Sequence, residues 1–196
     1  MVARRPCRKQ ALAYLWELLK KHAILTYMLQ LSSALTNKSV LSLRTGAPVA
    51  TVGAPIINPN NLKIEGFYCQ DQFNKALLVL LYQDIRDLIP DGFIVDDHDV
   101  LATPSELVRL KNVMDLNFQL IGKPVETLGH EKLGKVSDYA TEVETMFIQK
   151  LYVSQSLLKS FTGGSLSVDR SQISEITNRR IIINDPLRGM PAGATA

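Results

Sequence analysis

Only two cysteines occur in the 196 residues, Cys7 and Cys69. A disulfide framework needs more, so a reducing compartment is indicated and the chain is expected in the cytoplasm. The three histidines, His22, His98 and His130, lack the His/Cys spacing of a zinc site and are read as surface residues. No apolar run reaches the roughly 18–20 residues of a membrane-crossing helix. Ala23 to Leu35 comes nearest, and Gln30, Ser32 and Ser33 interrupt it. The Asp96-Asp97-His98-Asp99 cluster lacks the glycine and distal glutamate of a calcium loop, which leaves a solvated turn. Phe161-Thr162-Gly163-Gly164-Ser165 lacks the Gly-Lys-Ser/Thr ending of a phosphate loop and reads as a hairpin turn. No G-x-S-x-G elbow is present. No cofactor, metal ion or catalytic constellation is therefore expected, and the chain is not read as an enzyme.

What is present begins with an uneven charge. Residues 1–27 hold Arg4, Arg5, Arg8, Lys9, Lys20 and Lys21 against Glu17 alone, a net of +5, and the remaining 16 basic and 18 acidic side chains leave the body at −2. A basic face on the fold is the usual mark of a nucleic-acid binder, so composition argues against direct nucleic-acid binding by the body. Gln10 to Leu31 contains no glycine or proline, and Leu12, Leu15, Trp16, Leu19 and Ala23 share a helical face. Residues 1–35 are thus expected as a helical extension. A secretory signal is disfavoured because Lys20-Lys21-His22 splits the apolar stretch. A membrane-surface helix with basic flanks is one reading. The preferred one is an appendage outside the fold, with translation beginning at Met28.

From Ser39 the pattern turns to strands: Ser39–Leu43, Val49–Val52, Lys63–Gln70, Ala76–Tyr82 and Phe93–Val95, separated by turn residues such as Asn58-Pro59-Asn60-Asn61. Thr103-Pro104-Ser105-Glu106 is a capping-box helix start, followed by the stripe Leu107, Leu110 and Met114. Further strands are read over Val136–Ala140, Met146–Ser154, Leu166–Val168 and Arg179–Asn184.

The strand pattern occurs twice. Lys63–Tyr68 aligns with Phe147–Tyr152, Ile85–Leu88 with Ile173–Ile176, Phe93–Val95 with Ile181–Ile183, and Val40 and Ser42 with Val125 and Thr127. This is an internal duplication. It divides the chain into a helical extension (1–35), a first β domain (36–100), a linker with a short helix (101–117), a second β domain (118–187) and a disordered tail (188–196). Asp84 and Asp87 could pose as an acid pair, but Asp87 aligns with Glu175 at a repeated strand edge, which favours a structural role.

Gly122-Lys123-Pro124-Val125, Lys132-Leu133-Gly134-Lys135-Val136 and Ser171-Gln172-Ile173-Ser174-Glu175-Ile176 resemble a PRC-barrel domain. That family includes the photosynthetic reaction centre H subunit and the C-terminal domain of a small-ribosomal-subunit maturation factor. The first copy has Ala47-Pro48-Val49 where the Gly-Lys-Val step is expected. The resemblance implies an all-β chain of two small PRC-type β-barrels in tandem. It also implies a non-catalytic adaptor that binds a protein or ribonucleoprotein surface in RNA or ribosome metabolism. A membrane-peripheral scaffold, contacting the bilayer through the N-terminal helix, is the alternative.

The candidate partner-binding residues are Arg170, Arg179 and Arg180, near the ends of adjacent strands in the second copy. Arg170 stands where the first copy has Tyr82, and Arg179 and Arg180 replace Asp91 and Gly92. A docking patch for an acidic partner or RNA phosphates is one reading, and ordinary solubilising charge the other.

Overall fold

The computed structural model describes residues 29–154 and 165–184. Within them a strand β1 (Leu29–Leu31) precedes the first copy, which holds β2 (Ser39–Ser42), β3 (Pro48–Asn58), β4 (Lys63–Asp71), β5 (Leu77–Leu81), β6 (Asp87–Ile89) and β7 (Gly92–Val95). The second copy holds β8 (Pro124–Thr127), β9 (Lys132–Glu142), β10 (Ile148–Ser154), β11 (Ser165–Asp169), β12 (Ile173–Ile176) and β13 (Ile181–Ile183). The two sheets run β5-β4-β3-β2-β7-β6 and β11-β10-β9-β8-β13-β12, the same order strand for strand. In each the copy's first strand lies parallel to its last, and the other pairings are antiparallel. Val40 faces Phe93 in one sheet as Val125 faces Ile181 in the other. Polar details repeat as well. Lys38 Nζ donates to the Pro90 carbonyl at 2.6 Å, and Lys123 Nζ to the Asn178 carbonyl at 2.7 Å.

The copies meet across a local two-fold. Lys63 bridges Phe147, its counterpart in the other copy. The Ile64 N–H donates to the Met146 carbonyl and the Ile148 N–H to the Leu62 carbonyl, both at 2.9 Å. Exchanging the copies exchanges the two bonds. Leu62 and Met146 both adopt left-handed backbone, at φ 48° and 58°, where each chain turns toward the other. One apolar cluster spans both copies and includes Ile64, Phe67, Phe93, Ile148, Leu151 and Ile181, each fully buried. Side chains of this size contribute about 1.5–3 kcal/mol each on burial.

The segments that lead into each copy cross the two-fold. β1 pairs antiparallel with β9, Leu29 opposite Glu142 and Leu31 opposite Ala140. A one-turn helix α1 (Ser32–Leu35) follows, held by the Ser32 N–H and hydroxyl on Asp138 and by the buried Leu35. The corresponding lead-in of the second copy forms α2 (Lys111–Asp115), which packs against β3, and Leu120 is buried as Leu35 is.

Three expectations change here. Of the helix read over Gln10 to Leu31, residues 10–28 lie outside the described residues, and Leu29–Leu31 is strand, because β9 offers it an open edge. Residues 29–35 therefore pack with the second copy's sheet. Only half of the capping box at Thr103 forms: Glu106 accepts from the Thr103 N–H at 2.7 Å and from its hydroxyl at 2.8 Å, while the Glu106 N–H bonds the Thr103 carbonyl rather than the side chain. Helix does not propagate from it: the Val108 N–H turns back to the Glu106 carbonyl, and α2 starts only at Lys111. The Gly-Lys-Val step is matched in the first copy by Ala50-Thr51-Val52, since Gly134 faces Val125 as Ala50 faces Val40. Gly134 has φ +149°, and a Cβ there would sit 2.0 Å from the Ser154 carbonyl oxygen, so the second copy needs glycine at this step. The Gly163-Gly164 turn and the 188–196 tail lie outside the described residues.

Candidate functional site

In the second copy β8 lies between β9 and β13, and alternation sends Val125, Thr127, Val136, Ile181 and Ile183 inward. Their neighbours face out. Pro124 stands opposite Lys135 and Glu126 opposite Lys132 on one side. On the other side Ile181 stands opposite Val125, so Arg180 enters β13 beside Pro124, with Arg179 in the turn just before it. Lys123 leads into β8 from the same end. Five cations, Lys123, Lys132, Lys135, Arg179 and Arg180, thus collect on three adjacent strands and their leads.

Their environments differ. Lys132, Lys135 and Arg179 are exposed, and among the described residues their side chains have no ion-pair partner. Arg180 is half-exposed and pairs with Glu126 at 3.0 Å. Lys123 lies over the Phe118 ring, 4.4 Å from its centroid, while its Nζ reaches the Asn178 carbonyl. Burial pushes the Lys123 ammonium below its ordinary range. The register puts Lys38, Pro48, Thr51, Asp91 and Gly92 at the equivalent positions of the first copy, with Leu41 in place of Glu126. That face carries one cation and one acid.

Arg170 is not part of this face. It sits in the seam between the copies, its guanidinium 4.6 Å from the Phe147 ring centroid and its Nη2 donating to the Asn61 carbonyl at 2.6 Å. Nη1 is buried without an acceptor, as suits a guanidinium stacked on a ring. The equivalent pair in the first copy is Lys63 Nζ over Tyr82, at 3.7 Å. Duplication has kept a cation on an aromatic at the two-fold and exchanged which position holds which. Of the three arginines singled out from sequence, Arg179 and Arg180 stand together and Arg170 stands apart.

The acidic cluster at 96–99 is more tightly held than a solvated turn. Asp96 accepts from Arg86 Nε at 2.8 Å, Asp97 accepts from Ser42 Oγ at 3.0 Å and pairs with Arg44, and His98 Nε2 lies 3.2 Å from Asp71 Oδ1. Phe73 meets the His98 ring edge-on. For Asp71, burial opposes ionisation, but the Phe73 N–H, the His98 ring and the Asn74 N–H outweigh it and hold the carboxyl below its ordinary range. Burial pushes the Cys69 thiol up to about 12, which leaves it a packing residue rather than a nucleophile. Among the described residues no three of His, Cys, Asp and Glu stand close enough to hold a metal ion, and no helix is long and apolar enough to cross a membrane.

Lys123, Lys132 and Lys135 were not recognised as part of a site from sequence, although they fall in the Gly-Lys-Pro-Val and Lys-Leu-Gly-Lys-Val runs. Grouping them needs the β8–β9 register, which spacing alone does not supply. No family model matches the chain, and no curated protein matches it.

Proposed function

We propose that this chain is a non-enzymatic interaction module of the tandem PRC-barrel type. In this reading its second copy docks on an acidic protein or ribonucleoprotein surface in RNA or ribosome metabolism. The observation that carries the reading is the charge difference between equivalent faces. Five cations and Glu126 occupy the second copy's face, where the first copy has Lys38 and Asp91 at positions of the same register. Exposed charges of this kind contribute little to stability. They set partner choice and the rate of encounter instead. The face also stands against a body whose net charge is −2 outside residues 1–27, so an acidic partner is steered to one copy and repelled by much of the remainder.

The test is affinity capture with the tagged full chain and with Lys135→Glu/Arg179→Glu, washed at graded salt. Both side chains are exposed and without an ion-pair partner among the described residues, so the double variant is expected to keep its melting midpoint. It is expected to lose the partners that the wild-type chain retains at low and moderate salt. Unchanged capture across the salt series would reduce the face to solubilising charge.

A further inference from the structure

The linker builds a second surface, whose lining shares no residue with the basic face. Residues 103–115 cross the first copy and leave a cavity of about 620 Å³ against Asn58, Glu65, Leu81 and Tyr82. Another of about 460 Å³ lies against Tyr68 and Leu77. Leu107 and Val108 line both, so the two hollows adjoin along the linker. Their apolar content is left open: Val108 is 76% exposed and Leu77 57% exposed. Glu65, Glu106 and Arg109 line the larger hollow, with the Glu65 carboxylate bonded to Asn58 and that of Glu106 to Thr103.

We infer that the chain's own amino-terminal segment, residues 1–28, occupies this groove with the stripe Leu12, Leu15, Trp16 and Leu19. Reach permits it. Leu29 pairs with Glu142, Glu142 is bonded to Phe147, Phe147 bridges Lys63, and Lys63 pairs with Asn58 at the wall of the larger hollow. Four steps of about 5 Å place the start of β1 within roughly 20 Å of the groove. The six residues 23–28 can span that distance when extended, at about 3.3 Å each. Residues 12–22 are then free to lie along the groove, where a helix of that length runs about 16 Å. Charge agrees in sign, since a segment of net +5 approaches hollows lined by Glu65, Glu106 and Asp115 against Arg109 and Lys111, a net of −1. The stripe has the i, i+3, i+4, i+7 spacing by which helices enter apolar grooves.

Trp16 is the chain's only tryptophan, so its fluorescence reports the segment directly in the full-length protein. Docking is expected to blue-shift Trp16 emission and to lower acrylamide quenching several-fold relative to the urea-unfolded chain. Val108→Glu and, separately, Leu77→Glu alter exposed side chains and are expected to restore red-shifted, freely quenched emission without moving the melting midpoint. Wild-type emission that is already red-shifted and fully quenched would overturn the proposal. So would shielded emission that neither variant changes, because the segment would then be covered elsewhere. Shielding that appears only when anionic phospholipid vesicles are added would assign the segment to a membrane surface, and would equally overturn it.

Discussion

Arg170 and Arg179 look alike in the sequence and do different work in the fold. Arg170 stacks on Phe147 and bonds the Asn61 carbonyl, tying the second copy's 3₁₀ turn (Arg170–Gln172) to the first copy's β3–β4 turn. Replacing it by leucine removes a charge-assisted hydrogen bond and a cation–π contact, which together are worth about 1–3 kcal/mol. Urea denaturation of Arg170→Leu is expected to show that loss, while Arg179→Ala is expected to stay within about 0.5 kcal/mol of wild type. An Arg170→Leu chain as stable as wild type would show that the seam does not depend on the stacked cation. The carboxylates carry a second expectation. Asp71, Asp96 and Asp97 are held below the ordinary aspartate value by N–H, guanidinium and hydroxyl donors. A carboxyl depressed in the folded state adds stability above its unfolded pKa and loses it as pH falls through the folded value. Asp84, raised by burial, works in the opposite sense. The melting midpoint is therefore expected to hold above about pH 5 and to fall below about pH 4. Asp71→Asn should lower the plateau and flatten that fall; an unchanged acid limb would remove Asp71 from the account.

At the scale of elements, the duplication was legible because the buried strands keep period-two alternation and matching residues in both copies. Val40 with Val125, Ile64 with Ile148 and Phe93 with Ile181 occupy equivalent, fully buried positions. Strand pairing was not legible to the same degree. Asp87–Ile89 aligns with a repeated strand edge, but at three residues it is too short to mark its bounds from sequence, and its pairing with β7 fixes them. The Ala50-Thr51-Val52 step stands three residues beyond the Ala47-Pro48-Val49 that sequence alignment suggests, and only its pairing with β2 fixes it. Leu29–Leu31 and the linker failed for another reason. Each depends on the opposite copy, across the two-fold, and local propensity cannot register a partner more than 50 residues away. The same limit separates Arg179 and Arg180 from Lys123, Lys132 and Lys135 in the sequence reading, and groups them with Arg170, which the fold places in the seam.

At the scale of the whole molecule, the described residues form two copies of one sheet, locked by reciprocal bonds beside Lys63 and Phe147 and by lead-ins that cross to the other copy. Such an arrangement gives each surface position a counterpart in the same chain, under the same solvent and at the same concentration. The functional proposal makes the copies unequal: one face meets an anionic partner and its counterpart does not. Hydrogen–deuterium exchange on the full chain tests that inequality most directly, with poly-aspartate and short single-stranded RNA as two separate anionic probes. With either probe, slowed exchange is expected over residues 120–136 and 176–182, with the equivalent residues 36–52 and 88–94 unchanged, and the effect is expected to vanish in Lys135→Glu/Arg179→Glu. Equal protection of both copies, or none at the second copy with either probe, would contradict the account.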